Sequence, residues 1–215
     1  RGDDEGARKS LERAIELQPR NVTAQVALAG LEARAGNLEG MISVLKSAAA
    51  ALPESSDLQY RLALAYESNG RPSEAIDAYE KSISLNGDLA LAKNNLAYLL
   101  FWGEGAERDR PAAVDWYKRA AEQGDAPSQN TLGALYRAGH GVKRDDAEAA
   151  KWFLMAAARG HAEAQLYLGV MYEQGVGVPR DLQRAQLFYI LAADGGDAEA
   201  IRNRDFNARA LSPAQ

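Results

Sequence analysis

Apolar positions in LQYRLALAYESNG (58–70) fall at Leu58, Leu62 and Tyr66, the spacing of one helical face, and the stretch stops on Gly70, a common helix C-terminal breaker. A second helix is predicted over PSEAIDAYEKSISL (72–85), where Pro72 suits the first turn and Ala75, Ile76, Tyr79 and Ile83 share a face. Small residues at Ala63 and Ala75 let two such helices approach closely. One hairpin cannot bury both of its faces alone, so the pattern predicts that hairpins stack on neighbours.

The pattern recurs. Thirty-six residues apart stand Leu96, Leu132 and Leu168, then Gly103, Gly139 and Gly175, then Gly105, Gly141 and Gly177. Asp109, Asp145 and Asp181 keep the same step, as do Ala113, Ala149 and Ala185, Trp116, Trp152 and Phe188, and Gly124, Gly160 and Gly196. So many columns in step over three units do not arise by chance. Toward the N-terminus the step becomes 34: Leu28 with Leu62, Ala29 with Ala63, Gly36 with Gly70, and Pro19 with Pro53. Leu28, Leu62 and Leu96 form one series that runs on at 36, which predicts a single continuous array. The longer units gain turn residues, as in GHGVKRDD (139–146), whose glycines allow positive φ. Asp109, Asp145 and Asp181 stand where an N-cap carboxylate accepts the free amides of the following helix.

Composition narrows the function classes. Of 215 residues, 47% are hydrophobic and 26% charged, which is the balance of a folded chain with a real core. The net charge of -5 argues against nucleic acid as the main ligand, because displacing phosphate counterions needs a basic stripe. No run of about 18 apolar residues is present for a membrane span. Cysteine is absent, so there is no disulfide framework and no thiolate metal site.

The Leu62, Ala63, Tyr66, Ala75 and Tyr79 skeleton resembles tetratricopeptide repeats (TPR). The 36-residue units, best seen in AEAQLYLGVMYEQGVGVPRDLQRAQLFYILAADGGDA (162–198), resemble Sel-one-like repeats (SLR). The resemblance implies an all-α fold, a right-handed α-solenoid superhelix of antiparallel helix hairpins whose first helices line the concave face. Residues 1–89 are assigned to TPR units, the first of them a half repeat, 90–198 to three SLR units, and 199–215 to a capping helix and tail. Helices are expected at about 3–17 and in hairpins at 22–52, 56–85, 90–123, 126–159 and 162–194. The last helix has Ile201, Phe206 and Leu211 to bury, and Pro213 ends it. The half repeat predicts a matching first helix before residue 1, with a single cap helix as the alternative. Its Leu11, Ile15 and Leu17 offer a surface for self-association.

No catalytic constellation is visible: no nucleophile elbow, phosphate loop or HExxH zinc motif. The paired glycines follow no strand and recur once per repeat, which assigns them to turns. His140 and His161 lie in turns between helices and make a poor start for a metal site. The sequence therefore predicts no enzyme and no cofactor.

The resemblance implies that a partner contacts first-helix positions turned away from the second helix. By register these include Tyr60, Leu64 and Glu67, then Asn94, Tyr98, Phe101 and Trp102, then Asn130 and Arg137. Phe101 and Trp102 stand out, because other units place Ala33–Arg34, Glu67–Ser68, Arg137–Ala138 and Glu173–Gln174 in those columns. Two readings stay open: an aromatic anchor for a partner, or a plug where the repeat length changes. The basic clamp with which some TPRs hold a chaperone C-terminus has no counterpart, since its columns hold Val26, Gly30, Tyr60 and Leu64. The expectation is a bacterial adaptor or scaffold binding a peptide or protein on its concave face. The resemblance admits two alternatives, a scaffold of the cell envelope or polysaccharide-secretion machinery and a binder of peptidoglycan or another sugar polymer. The compartment stays open, with periplasm or envelope favoured over cytoplasm.

Overall fold

The computed structural model describes residues 2–194 and 198–211; Gly196 of the repeat columns and Pro213 lie outside them. Among the described residues the chain is helical throughout, and it forms two compact units, residues 1–108 and 109–215.

The first unit contains α1 (Gly2–Leu17), α2 (Val22–Arg34), α3 (Leu38–Ala51), α4 (Ser56–Ser68), α5 (Pro72–Leu85) and α6 (Ala90–Trp102). Each helix packs on the next, most extensively within the hairpins α2–α3 and α4–α5. The small residues act as anticipated: Ala63 and Ala75 are fully buried, with Leu58 and Tyr79 beside them in the core. Asn21, Asn37 and Ser55 cap α2, α3 and α4 by accepting the amide three residues on. Helix α1 is tied in by charge, since its Arg8 donates to the buried carboxylate of Glu32, which also accepts from Asn37 Nδ2 at 2.6 Å.

The second unit contains α7 (Arg110–Glu122), α8 (Ala126–Ala138), α9 (Asp146–Ala157), α10 (Ala162–Gln174), α11 (Leu182–Asp194) and α12 (Ala198–Leu211), again each packed on its successor. Asp109, Asp145 and Asp181 are N-caps, accepting from the amides of Ala112, Glu148 and Arg184 at 2.9, 2.9 and 3.0 Å. The glycine pairs divide their labour. Gly175 closes α10 in the left-handed region (φ 72°), donating its amide to the Met171 carbonyl at 2.8 Å. Gly177 lies against the start of α9, where a Cβ would fall 2.1 Å from the Asp146 carbonyl oxygen. These glycines are turn and packing devices.

The last helix departs from expectation. Phe206 is 67% exposed, and the buried residues of α12 are Ala200 and Asn207. Asn207 Nδ2 donates to the Leu182 carbonyl at 2.9 Å and to Gln186 Oε1 at 3.2 Å, so a polar clasp holds the helix against α11. Phe206 follows Val170 by one 36-residue step, but Val170 is partly buried against the core whereas Phe206 is exposed.

Candidate partner-binding face

The 34-residue step stacks three columns across the first helices α2, α4 and α6: Val26, Tyr60 and Asn94; Gly30, Leu64 and Tyr98; Arg34, Ser68 and Trp102. A helix turns about 100° per residue, so positions four apart stay on one face. Between α2 and α4 these columns border an apolar cavity of about 310 Å³, lined by Val26, Gly30, Met41, Leu45, Leu64 and Ser68 among others. Gly30 widens it by leaving a side chain out, and Arg61, paired with Asp57 at 2.7 Å, stands at its edge.

Farther along the same columns the face is aromatic. Tyr98 is 45% exposed and Trp102 50% exposed, with their ring centroids 6.4 Å apart. Phe101, expected on the open face beside Trp102, is only 7% exposed and meets the Trp102 ring edge-on at 5.1 Å. Adjacent helical residues point about 100° apart, so one ring faces the interior and the other solvent. Phe101 thus faces the interior, while Trp102 is half exposed to solvent.

Two other expected residues have structural duties. The Tyr79 hydroxyl donates to Glu67 Oε2 at 2.7 Å and accepts from Asn95 Nδ2 at 2.9 Å, and Asn94 Nδ2 donates to Asn95 Oδ1 at 3.3 Å. Burial, and then the Glu67 carboxylate, push the Tyr79 phenol well above its usual range, so it stays a neutral donor. The Tyr60 ring lies 6.0 Å from that of Tyr79. Glu67 thus helps join α4 to α5, Asn95 joins α6 to them, and Asn94 bonds to Asn95 within α6.

In the second unit Asn130 is buried, and its Nδ2 donates to Glu163 Oε2 at 2.9 Å. The Arg137 guanidinium lies over the Tyr167 ring at 5.3 Å, and the Tyr167 hydroxyl donates to Glu163 Oε1 at 3.2 Å. Arg137, Glu163 and Tyr167 line a second cavity of about 440 Å³, together with Leu166, Val170 and Glu199. Burial, followed by the Glu163 charge, raises the Tyr167 pKa. Tyr167 and Glu199 were not singled out in the sequence, although Glu163 and Glu199 stand one 36-residue step apart. Among the described residues no cluster of three His, Cys, Asp or Glu could hold a metal ion. His161 instead caps α10, its Nδ1 accepting the Ala164 amide at 3.4 Å.

The three 36-residue units match the Sel1 repeat at residues 90–125, 126–161 and 162–197, together about half the chain. The chain belongs to the Sel1 repeat family. The N-terminal part of this Sel1-repeat protein matches tetratricopeptide repeats, at residues 1–55 and 56–89. Among solved structures it is similar to a protective antigen of uropathogenic Escherichia coli displaying an SLR fold, with 28% identity and a TM-score of 0.78 over 90% of this chain. The Sel1-repeat protein spans 42% of that antigen's length. A Sel1 repeat protein from Oxalobacter formigenes is 29% identical, with a TM-score of 0.71 over 91% of this chain and 82% of its own. YrrB, a TPR protein with an unusual peptide-binding site, shares the fold at 21% identity and a TM-score of 0.58, over 91% of this chain and 97% of its own. No curated protein matches the sequence. The fold is the all-α solenoid of these repeats, and such repeats generally serve as non-catalytic interaction scaffolds.

Proposed function

We propose that this Sel1-repeat protein is a scaffold that holds a peptide or protein partner on its first-helix face. One observation carries the reading: the columns that border the apolar cavity between α2 and α4 continue on α6 as the exposed Tyr98 and Trp102. A concave apolar site for an anchoring side chain and a pair of solvent-facing aromatics therefore share one face of one unit. Trp and Tyr give large contact areas at low entropic cost, and interface centres are enriched in them. The surface is carried on packed helices and is preformed, so binding orders little of its backbone. The proposal assigns no catalytic step to any residue.

Site-specific photo-crosslinking tests it. A benzophenone side chain at position 64 is expected to form an adduct with a protein in native lysate. Trp102→Ala is expected to weaken that adduct about tenfold while the melting temperature stays put. Adducts that form only from a control position on the second helices, such as 154, would overturn the reading.

A further inference from the structure

Two second helices of the second unit, both packed on α10, expose large apolar residues. Leu154 and Met155 of α9 are 49% and 45% exposed, and Leu187, Ile190 and Leu191 of α11 are 53%, 41% and 41% exposed. By the 36-residue step Leu154 and Ile190 share a column, as do Met155 and Leu191, and α7 fills these columns with Lys118 and Arg119. The column of Leu187 holds Asp115 and Lys151. Solvent-facing positions that are charged in α7 thus turn apolar in α9 and α11. Leu154 and Met155 stay exposed although a further hairpin helix follows α9, so theirs is not the exposure of an array's end. Five such side chains amount to about 400 Å² of apolar surface, the size at which a patch marks an interaction site.

We propose that two copies of the chain meet on this patch, α11 against α11, antiparallel about a twofold axis. The surface is distinct from the first-helix face and does not rest on the reading of that face. Charge and area both select a second copy. Residues 184, 187, 191 and 194 recur at helical spacing on one side of α11, with Ile190 beside them. The stripe is symmetric: Arg184 stands three residues before Leu187, and Asp194 three after Leu191. An antiparallel copy therefore sets Leu187 against Leu191 and Arg184 against Asp194, each pairing made twice, as a twofold contact requires. Both charges are available for this. Arg184 meets Asp181 Oδ2 through Nε at 3.3 Å and the Tyr172 hydroxyl through Nη1 at 3.3 Å, yet its side chain is 63% exposed. Its Nη2, and the carboxylate of Asp194, have no partner among the described residues. Interfaces are roughly 60% apolar, so the patch with a polar rim comes close to the ~800 Å² per copy of a standard interface. A lipid surface fits less well, since the patch is aliphatic and bordered by an aspartate.

Sedimentation velocity on the full chain, from about 1 to 100 μM, tests it. The expected result is one doubling of mass and no further growth, because a twofold contact closes. Leu187→Asp/Ile190→Lys/Leu191→Arg gives α11 the residues that α7 carries in these columns. It is expected to weaken association at least about a hundredfold, with the helical circular dichroism unchanged. Arg184→Glu and Asp194→Lys should each weaken it about tenfold, and the double reversal should regain most of the loss. Both reversals suit the dipole of α11, so they keep the helix intact. A chain that stays monomeric to the top of the range overturns the proposal. So does a triple variant that still dimerises, or a double reversal no better than its single changes. Flotation with anionic vesicles in place of dimerisation, abolished in the triple variant, would put a membrane on the patch and overturn it too. A crosslink from position 154 to a second copy belongs to this contact and says nothing of the first-helix face, so the two readings fail separately.

Discussion

The Tyr79 hydroxyl donates to the Glu67 carboxylate 2.7 Å away, and through the amide of Asn95 this one phenol links α4, α5 and α6. Tyr189 makes the same hydrogen bond to Glu173 between α11 and α10. In both hairpins a buried second-helix tyrosine is secured by a glutamate at the edge of the first-helix face.

Tyr79→Phe keeps the ring and its packing beside Tyr60 but removes one donor and one acceptor. It is expected to destabilise the protein by about 1–2 kcal/mol, since Asn95 loses its partner in a partly buried setting. Urea unfolding checks this as a lowered midpoint at unchanged slope.

The same phenols set an alkaline limit. Burial, then the neighbouring glutamates, raise the pKa of Tyr79 and Tyr189 in the folded state. An unfolded tyrosine gives up its proton near pH 10, whereas the folded ones retain theirs, so above that pH the unfolded chain binds fewer protons. Stability contributed by these groups is therefore complete below about pH 10 and declines as pH rises beyond it. Melting temperatures between about pH 9 and 11 should fall, and fall less steeply in Tyr79→Phe/Tyr189→Phe.

Gly177 and Gly160 both have positive φ, 71° and 82°, but only Gly177 faces backbone where a Cβ would go. Gly160→Ala is expected to cost about 1 kcal/mol, the price of the left-handed conformation alone. Gly177→Ala should cost at least about twice that, because the start of α9 has to move. Side-by-side denaturation curves decide it.

Asn207→Ala removes both bonds that clasp α12 to α11. The expected result is a loss of about 1–2 kcal/mol in the local stability of α12. Hydrogen exchange should quicken at residues 198–211 while α8 and α9 keep their protection.

Helix ends, the aspartate caps and the turn glycines were legible in the sequence because each is a local rule repeated at a fixed step. The orientation of individual side chains was less so. Phe101 and Trp102 read as one aromatic block, yet the turn of the helix sends one into the interior and leaves the other exposed. Phe206 was expected among the residues that α12 buries because hydrophobicity alone suggested burial, yet it is exposed. Asn207 and Asn130 could not be found from apolar periodicity, since each is a polar residue buried by virtue of its hydrogen bonds. The Glu163–Glu199 pocket needed the structure to bring Asn130 and Tyr167 to the same carboxylate.

Hydrogen exchange on the chain, with and without the protein captured at position 64, tests the central claim most directly. The account predicts slowed exchange on α2, α4 and α6, centred on Gly30, Leu64, Tyr98 and Trp102. Protection confined to the second helices α3, α5, α9 and α11, with the first helices unchanged, would contradict it.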